Sequence, residues 1–480
     1  MSESLRQKTK RGLYWKFAEQ FSNYGIQFVI GIILARLLSP EDYGLTALPA
    51  VFISVAGIFV SAGFHLALVR KPELTEKDLS TAFYYSGVVG FVMYCILFLS
   101  SPWIAEFYNA PVLEDILRVT SLGFLYNPLS TPQGVLLLRK MDFKTPTKIS
   151  VISRLLTGVV GITLAYIGYG VWALVLSYLV GDIFSVICKW FVVRWVPKTG
   201  WSKESFRYLW GFGNKLMLSN LIDTLYNNIT PVFIGKFYSP ADLGIYNRAV
   251  QYANIPSAQL TGTIASVSFP ALSAIQEDEE KLIRAYRTML RVSAFIIFPI
   301  MMLMAALSRP LIITMISSKW ESSIIYLQIL CFSLMWYPIN GLNLNLLQVK
   351  GRSDLFLRLE VIKKILGIFV LAVTLPMGII YFCVASVFSS ILCLFINTYY
   401  TGALFKLPLS LQFRDFGPSL LLSVTMAAIV YGVTLCISSL FLQLLGGCVI
   451  GVSFYCGISY LKKMPEVVEI QYLLKRKSAL

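Results

Sequence analysis

Charge is scarce in this sequence. Only 14% of its 480 residues are Asp, Glu, Lys or Arg, where a soluble domain carries roughly a quarter. A water-soluble globular fold is thereby excluded. Histidine is scarcer still, with His65 as the single copy. No second ligand type clusters with it, so His65 reads as a packing or interfacial residue and no metal centre is expected. The eight cysteines (Cys95, Cys188, Cys331, Cys383, Cys393, Cys436, Cys448 and Cys456) all fall in apolar runs. None forms a CxxC pair, which argues against a zinc site and against a disulfide framework. Neither a Walker loop nor a Gly-rich nucleotide fingerprint is present. ATP-driven work by this chain alone is not expected, and neither is a cofactor.

Apolar length is abundant instead. Hydrophobic residues make up 56% of the chain, and the mean hydropathy is +0.69. Runs of about 20 apolar residues recur, each long enough to cross the hydrocarbon core. Backbone groups in lipid must be satisfied within the segment, so these runs are read as helices. The expected fold class is an all-α polytopic membrane protein with about fourteen transmembrane helices. Their spans are near 13–38, 44–69, 80–101, 116–138, 149–168, 171–193, 209–237, 244–270, 289–316, 324–349, 359–378, 380–403, 417–439 and 442–461. The first is too long for the apolar core of a signal peptide, and no small-residue cleavage site follows it.

The formal net charge of +16 would suggest nucleic acid in a soluble protein. Here the basic residues lie in short connections between apolar runs, so no nucleic-acid partner is expected. With the N-terminus inside, the segments assigned to the cytoplasm hold 33 of the 41 Lys and Arg residues. That is a strong positive-inside pattern, and it places both termini in the cytoplasm.

The chain also repeats itself. Ser39-Pro40-Glu41-Asp42-Tyr43-Gly44 returns 200 positions later as Ser239-Pro240-Ala241-Asp242-Leu243-Gly244. Upstream and without a gap, Gln20, Asn23 and Gln27 align with Asn220, Asp223 and Asn227. An offset of six helices preserves orientation, so the repeat is parallel. Tyr126-Asn127-Pro128 and Trp336-Tyr337-Pro338 form a second match. The expected organisation is a six-helix bundle over 1–200, another over 201–405, and over 406–480 two further helices with a cytoplasmic tail. This last pair has no counterpart and reads as an appendage.

The Ser-Pro-x-Asp-x-Gly turn has a local explanation. Ser39 caps the second helix, Pro40 suits its first position and Asp42 returns a bond to the cap. The stripes at 20/23/27 and 220/223/227 each share one helical face. Polar side chains are costly against lipid. They either bond to neighbouring helices or line a central substrate cavity, and two equivalent stripes facing a pseudo-two-fold axis favour the cavity. Asp223, where the other copy has Asn23, is the candidate for proton coupling, since a desolvated carboxylate can exchange a proton near neutrality; a fixed ion pair is the alternative. Asp182 is a similar, weaker case.

The eighth helix is unusually polar, with Asn247, Arg248, Gln251, Asn254 and Gln259. Arg248, Gln251, Asn254 and, in the fifth helix, Arg154 join the cavity candidates, because an arginine in a wet cavity suits a diphosphate or an anionic sugar. Arg284, Arg287 and Arg291 read as a solvated face at headgroup level. Prolines within the spans (Pro49, Pro128, Pro132, Pro256, Pro299, Pro338) are candidate kinks.

Ala35-Arg36-Leu37-Leu38-Ser39-Pro40-Glu41-Asp42-Tyr43-Gly44 resembles the first-hairpin motif of bacterial polysaccharide exporters of the O-antigen flippase type. Phe269-Pro270-Ala271-Leu272-Ser273, followed by the segment from Glu277 to Arg291, resembles the lipopolysaccharide and colanic-acid exporter branch. That family belongs to the multidrug, oligosaccharidyl-lipid and polysaccharide exporter superfamily. The resemblance implies two six-helix bundles around a central cavity plus two helices. It also implies movement of undecaprenyl-diphosphate-linked oligosaccharide from the inner to the outer leaflet of the bacterial cell membrane. Expected partners are that lipid-linked substrate, membrane lipids, and the polymerase and glycosyltransferases of the same pathway. The resemblance supplies no short catalytic motif, and the chain is not expected to be an enzyme. A cation-coupled drug exporter of the same fold, a polytopic polysaccharide polymerase and an uncoupled lipid scramblase are the alternatives.

Overall fold

The computed structural model describes residues 5–469. No strand occurs among them. The first four residues and the expected cytoplasmic tail beyond 469 lie outside the described residues. By contacts, the chain divides between Gly244 and Ile245 into two compact units. The boundary read from the repeat, at residue 200, marks where the sequence restarts, whereas the contact boundary follows the packing of the seventh helix.

The first unit begins with α1 (Leu5–Leu37), α2 (Pro40–Ala47), α3 (Ala50–Ser61) and α4 (Phe64–Arg70). Next come α5 (Glu76–Phe107), α6 (Val112–Ser121), α7 (Gly123–Tyr126), a 3-10 turn at Asn127–Ser130 and α8 (Thr131–Arg139). The unit continues through α9 (Lys144–Ile167), α10 (Val171–Val193) and α11 (Lys203–Phe237), and α12 (Pro240–Ser273) runs across the boundary. The second unit adds α13 (Glu279–Ala306), α14 (Ser308–Ile316), a 3-10 turn at Ser318–Trp320, α15 (Ser323–Leu334) and α16 (Tyr337–Val349). It ends with α17 (Ser353–Thr374), α18 (Ile379–Phe405), α19 (Leu409–Cys436) and α20 (Leu440–Leu461).

Helical backbone passes through each of the fourteen expected segments. Among the described residues, nine stretches are long and apolar enough to cross a bilayer. Five of the fourteen expected spans fall outside that set: the segmented run α6–α8, α17, and the helices α1, α11 and α12. The last three carry the polar stripes, and the amides that mark them also lower their hydropathy. Prolines account for part of the segmentation. Pro49 precedes α3, Pro128 sits in the 3-10 turn, and Pro132 and Pro338 occupy first turns, whereas Pro256 and Pro299 lie inside continuous helix.

The duplicated turn folds as its local chemistry requires. The Asp42 amide donates to Ser39 Oγ at 3.2 Å, and the Ser39 amide donates to Asp42 Oδ2 at 2.8 Å. The second copy repeats this, with Asp242 N to Ser239 Oγ at 3.1 Å and Ser239 N to Asp242 Oδ2 at 3.2 Å. Both are reciprocal capping boxes. The two copies also meet. A Cβ on Gly44 would stand 1.7 Å from the Pro240 carbonyl oxygen, and one on Gly244 would stand 1.9 Å from that of Pro40. Only glycine allows so close a backbone approach, and the exchange is symmetric, as in a two-fold pairing.

Elsewhere in the first unit, α3 ends and α4 begins at Ala62 and Gly63, both with positive φ (42° and 69°). α11 crosses this break through Gly213, whose Cβ would lie 2.2 Å from the Ala62 carbonyl oxygen. Phe64, Leu68, Ala82, Val135 and Leu209 form the buried cluster beneath it.

In the second unit α13 is the central post. Leu282, Tyr286, Leu290, Ala294, Ile297, Phe298 and Met301 are all fully buried. α19 packs along it, so one of the two helices without a repeat counterpart belongs to the interior of this unit. The contact carries an ion pair. Arg287 Nε and Nη2 lie 2.7 and 2.8 Å from Asp415 Oδ2 and Oδ1, and Arg291 Nη1 lies 3.7 Å from the same carboxylate. A solvated face was expected for Arg284, Arg287 and Arg291. Arg284 is indeed open, but the other two turn to Asp415, whose side chain is only 4% exposed. A buried carboxylate recruits the nearest cations because leaving it unpaired costs several kcal/mol.

Candidate functional site

On α1, Gln20 and Gln27 are exposed and Asn23 is half-buried. The Asn23 amide donates to Ser150 Oγ of α9 at 2.9 Å. Asn23 therefore bonds two helices together, while its neighbours one turn away stay on an uncovered face. On α11, Asn220, Asp223 and Asn227 are all exposed. The alignment of 23 with 223 thus holds in sequence but not in environment.

On α12, within the second unit, Gln251 and Asn254 are exposed and Arg248 is only 5% exposed. The Arg248 guanidinium donates to Gln251 Oε1 at 3.0 Å and lies 4.9 Å above the ring of Trp320, itself fully buried. A cation over an indole face is stabilised even when desolvated. Arg248 thus anchors α12 against the Ser318–Trp320 turn and holds Gln251, while Gln251 and Asn254 carry exposed amides on the same stretch of helix.

Arg154 is exposed on α9. Arg154 and Lys189 lie within electrostatic reach of Asp182 on α10, and the Asn127 amide stands beside the same carboxylate. Asp182 and Asn127 line a cavity of about 300 Å³ together with Ser61, Thr120 and Thr131. His65 lies within electrostatic reach of Lys189. The first unit therefore holds a pocket whose otherwise apolar wall carries a carboxylate, an amide and three hydroxyl side chains, with two cations near the carboxylate. Only Arg154 and Asp182 of this group stood out in the sequence. Asn127 was visible as part of a repeat match, and its adjacency to Pro128 in a membrane segment was the available signal.

The second unit holds a different constellation. Asn343 Oδ1 accepts from the Tyr286 hydroxyl at 2.9 Å, the Thr401 hydroxyl at 3.1 Å and Gln412 Nε2 at 3.2 Å. Asn343 Nδ2 donates to Gln412 Oε1 at 3.2 Å and to the Ile339 carbonyl at 3.1 Å. All four side chains are fully buried. Polar groups satisfied in this closed way lock helices together. The signal was the run of asparagines at 340, 343 and 345 in an otherwise apolar segment. Among the described residues no group of histidine, cysteine or carboxylate side chains is arranged to hold a metal.

Helices with uncovered polar faces, set among helices that only hydrocarbon would suit, define a multi-pass membrane protein of transporter architecture. Its fold is that of a solved lipid II flippase MurJ in an inward closed conformation, with a TM-score of 0.74 over 95% of this chain and 100% of that one at 17% identity. An inward-facing MATE-family multidrug resistance transporter of the MOP superfamily matches with a TM-score of 0.61 over 79% and 95% of the two chains at 15% identity. Residues 33–325, more than half of the sequence, match the family described as polysaccharide biosynthesis protein, and the chain belongs to that family. Its relatives include the teichuronic acid biosynthesis protein TuaB of Bacillus subtilis strain 168, 24% identical over 441 residues and 90% of each chain. The lipopolysaccharide biosynthesis protein WzxC of Escherichia coli K12 is 26% identical over 371 residues, 76% of this chain and 75% of that one. The resemblance carried by the first-hairpin motif is borne out.

Proposed function

We propose that this protein is a flippase that moves an oligosaccharide carried on undecaprenyl diphosphate from the inner to the outer leaflet of the bacterial cell membrane. It works by alternating access, with both termini in the cytoplasm. The observation that carries this reading is the set of exposed polar side chains on α1, α11 and α12: Gln20, Gln27, Asn220, Asp223, Asn227, Gln251 and Asn254. Facing lipid they would be costly; facing a wet pathway they can exchange hydrogen bonds with sugar hydroxyls. The glycan and its diphosphate need such a pathway, since burying hydroxyls and phosphate charges in hydrocarbon is prohibitive. The lipid tail stays in the bilayer. Arg248 positions Gln251, and Arg154 acts beside Asp182 rather than on the stripes.

Several relatives support the reading by what they are named for. The succinoglycan biosynthesis transport protein ExoT of Rhizobium meliloti is 26% identical over 324 residues, and the MurJ fold belongs to a lipid II flippase. The glycosyltransferases that assemble the lipid-linked unit and the polymerase that consumes it are the proposed partners. Deleting the gene is expected to trap lipid-linked oligosaccharide in the inner leaflet, read by its inaccessibility to an externally added glycan label. Normal labelling in the deletion strain would remove the function.

Asp223 is the proposed proton-coupling group. Asp223→Asn is expected to flatten the pH dependence of export measured in inverted vesicles, while the protein reaches the membrane at its usual level. An unchanged pH profile takes Asp223 out of the coupling.

A further inference from the structure

We infer that the first unit carries a second site, next to the start of the α11 stripe: a pocket between α4 and α11 that binds the phosphate oxyanion of a lipid headgroup before transport. The pocket is a cavity of about 640 Å³, within the range of small-molecule sites. Arg70 and Lys215 supply positive charge to its wall, Tyr208 and Phe212 supply aromatic faces, and Ser219 supplies a hydroxyl.

Three cations cluster here, and they are not equivalent. Lys71 is already neutralised, with Nζ 2.7 Å from Asp78 Oδ1, and it lies over the Tyr208 ring at 4.9 Å. Among the described residues, no carboxylate pairs with Arg70 or Lys215. The Arg70 guanidinium is held instead by the Phe212 ring, 5.1 Å from its centroid. Seated over the ring, the guanidinium keeps N–H groups that can bind an oxyanion in bidentate fashion. Gly211 keeps the pocket open, since a Cβ there would meet nothing within 4 Å.

A bland account is available. Basic residues gather at cytoplasmic helix ends to set topology, wherever they point. It does not account for two cations and two rings enclosing one cavity, 145 positions apart in sequence, with the third cation satisfied internally. The positive-inside assignment puts this end of α4 and α11 at the inner leaflet, where phosphate headgroups lie. The inference rests on the transport reading for that placement and for a role in loading substrate. The binding itself is measured without transport.

The test uses the purified full chain in detergent with three probes: geranylgeranyl diphosphate, phosphatidylglycerol and inorganic pyrophosphate. The first carries the diphosphate of a polyprenyl carrier, the second the headgroup of a bulk anionic lipid, and the third the free anion. Arg70→Gln and Lys215→Gln are each expected to weaken binding of the diphosphate lipid about tenfold. Gly211→Leu fills the cavity while keeping every charge, and leucine is the better helix former, so it is expected to abolish binding in a folded protein. Preference for geranylgeranyl diphosphate assigns the pocket to the carrier lipid. Equal loss of phosphatidylglycerol binding in the variants assigns it to bulk lipid and still supports a headgroup site. Unchanged lipid binding in all three variants, or binding of pyrophosphate alone, overturns the proposal. Trapping of substrate in the deletion strain together with unchanged lipid binding would overturn the pocket and leave the flippase reading standing.

Discussion

Asn343→Leu is expected to destabilise the second unit by about 2–4 kcal/mol, with a clear fall in the thermal midpoint of the detergent-purified protein. The side chain is isosteric enough to fill its space, so the loss is one of hydrogen bonding. Asn343 Oδ1 receives three donors, from Tyr286, Thr401 and Gln412, at 2.9, 3.1 and 3.2 Å. Each buried donor left without a partner costs about 1–3 kcal/mol. Part of that returns, because Gln412 Nε2 still reaches the Leu407 carbonyl and Thr401 still reaches the Thr398 carbonyl, both at 3.2 Å. Tyr286→Phe removes the hydroxyl that donates to Asn343 Oδ1 and also reaches Gln412 Oε1 at 3.4 Å, and should cost about 0.6 kcal/mol and at most about 1.7, the average and the maximum for hydrogen bonds between membrane helices. The double variant should then lose less than the two losses added together, since both act on one acceptor. Strict additivity would mean that Asn343 and Tyr286 do not share a bond.

The second large effect is steric. Gly44→Ala is expected to lower the thermal midpoint and to depress export, and Gly244→Ala to do the same. The added methyl would stand 1.7 Å from the Pro240 oxygen in the first case and 1.9 Å from the Pro40 oxygen in the second. Those are backbone atoms, so no rotamer change relieves the clash, and the starts of α2 and α12 must move apart. Two glycines provide the control. A Cβ on Gly25 or Gly31 of α1 would meet nothing within 4 Å. Alanine at either position should be neutral or stabilise by up to about 1 kcal/mol, because it is the better helix former. A midpoint unchanged in Gly44→Ala would mean that the two turns are not in contact.

The same two sets of glycines separate what was legible in the sequence from what was not. The capping boxes at Ser39 and Ser239 could be read directly, because their partners lie three residues away. Their contact with each other could not, since 200 positions of chain intervene and a glycine alone does not name what approaches it. The polar stripes were legible as helical periodicity. Asn23 turned out to bond Ser150, 127 positions away, and periodicity cannot tell a polar face that meets a helix from one that meets water. Arg70 and Lys215 fall among the basic residues of the segments assigned to the cytoplasm, where the positive-inside pattern accounts for every cation alike and sets none apart. α19 was misjudged for a related reason. An apolar helix reads the same whether lipid or protein covers it, and the polar residues buried in its first turns, Gln412 and Asp415, take their meaning only from Asn343 and Arg287 beside them.

The packing of α19 on α13 bears on how the chain can be cut. Phe416 closes an aromatic triangle with Phe298 and Trp336, with ring centroids 5.3–6.0 Å apart. A chain stopped after Phe405 would leave Phe298 and Trp336 without their third ring and strip Arg287 of its carboxylate. Gln412 would leave with it, opening the network around Asn343. Reporter fusions and shortened versions of this protein therefore need to keep the whole of α19: the helix that looks most dispensable in the duplication is the one whose removal would unmake the core of the second half.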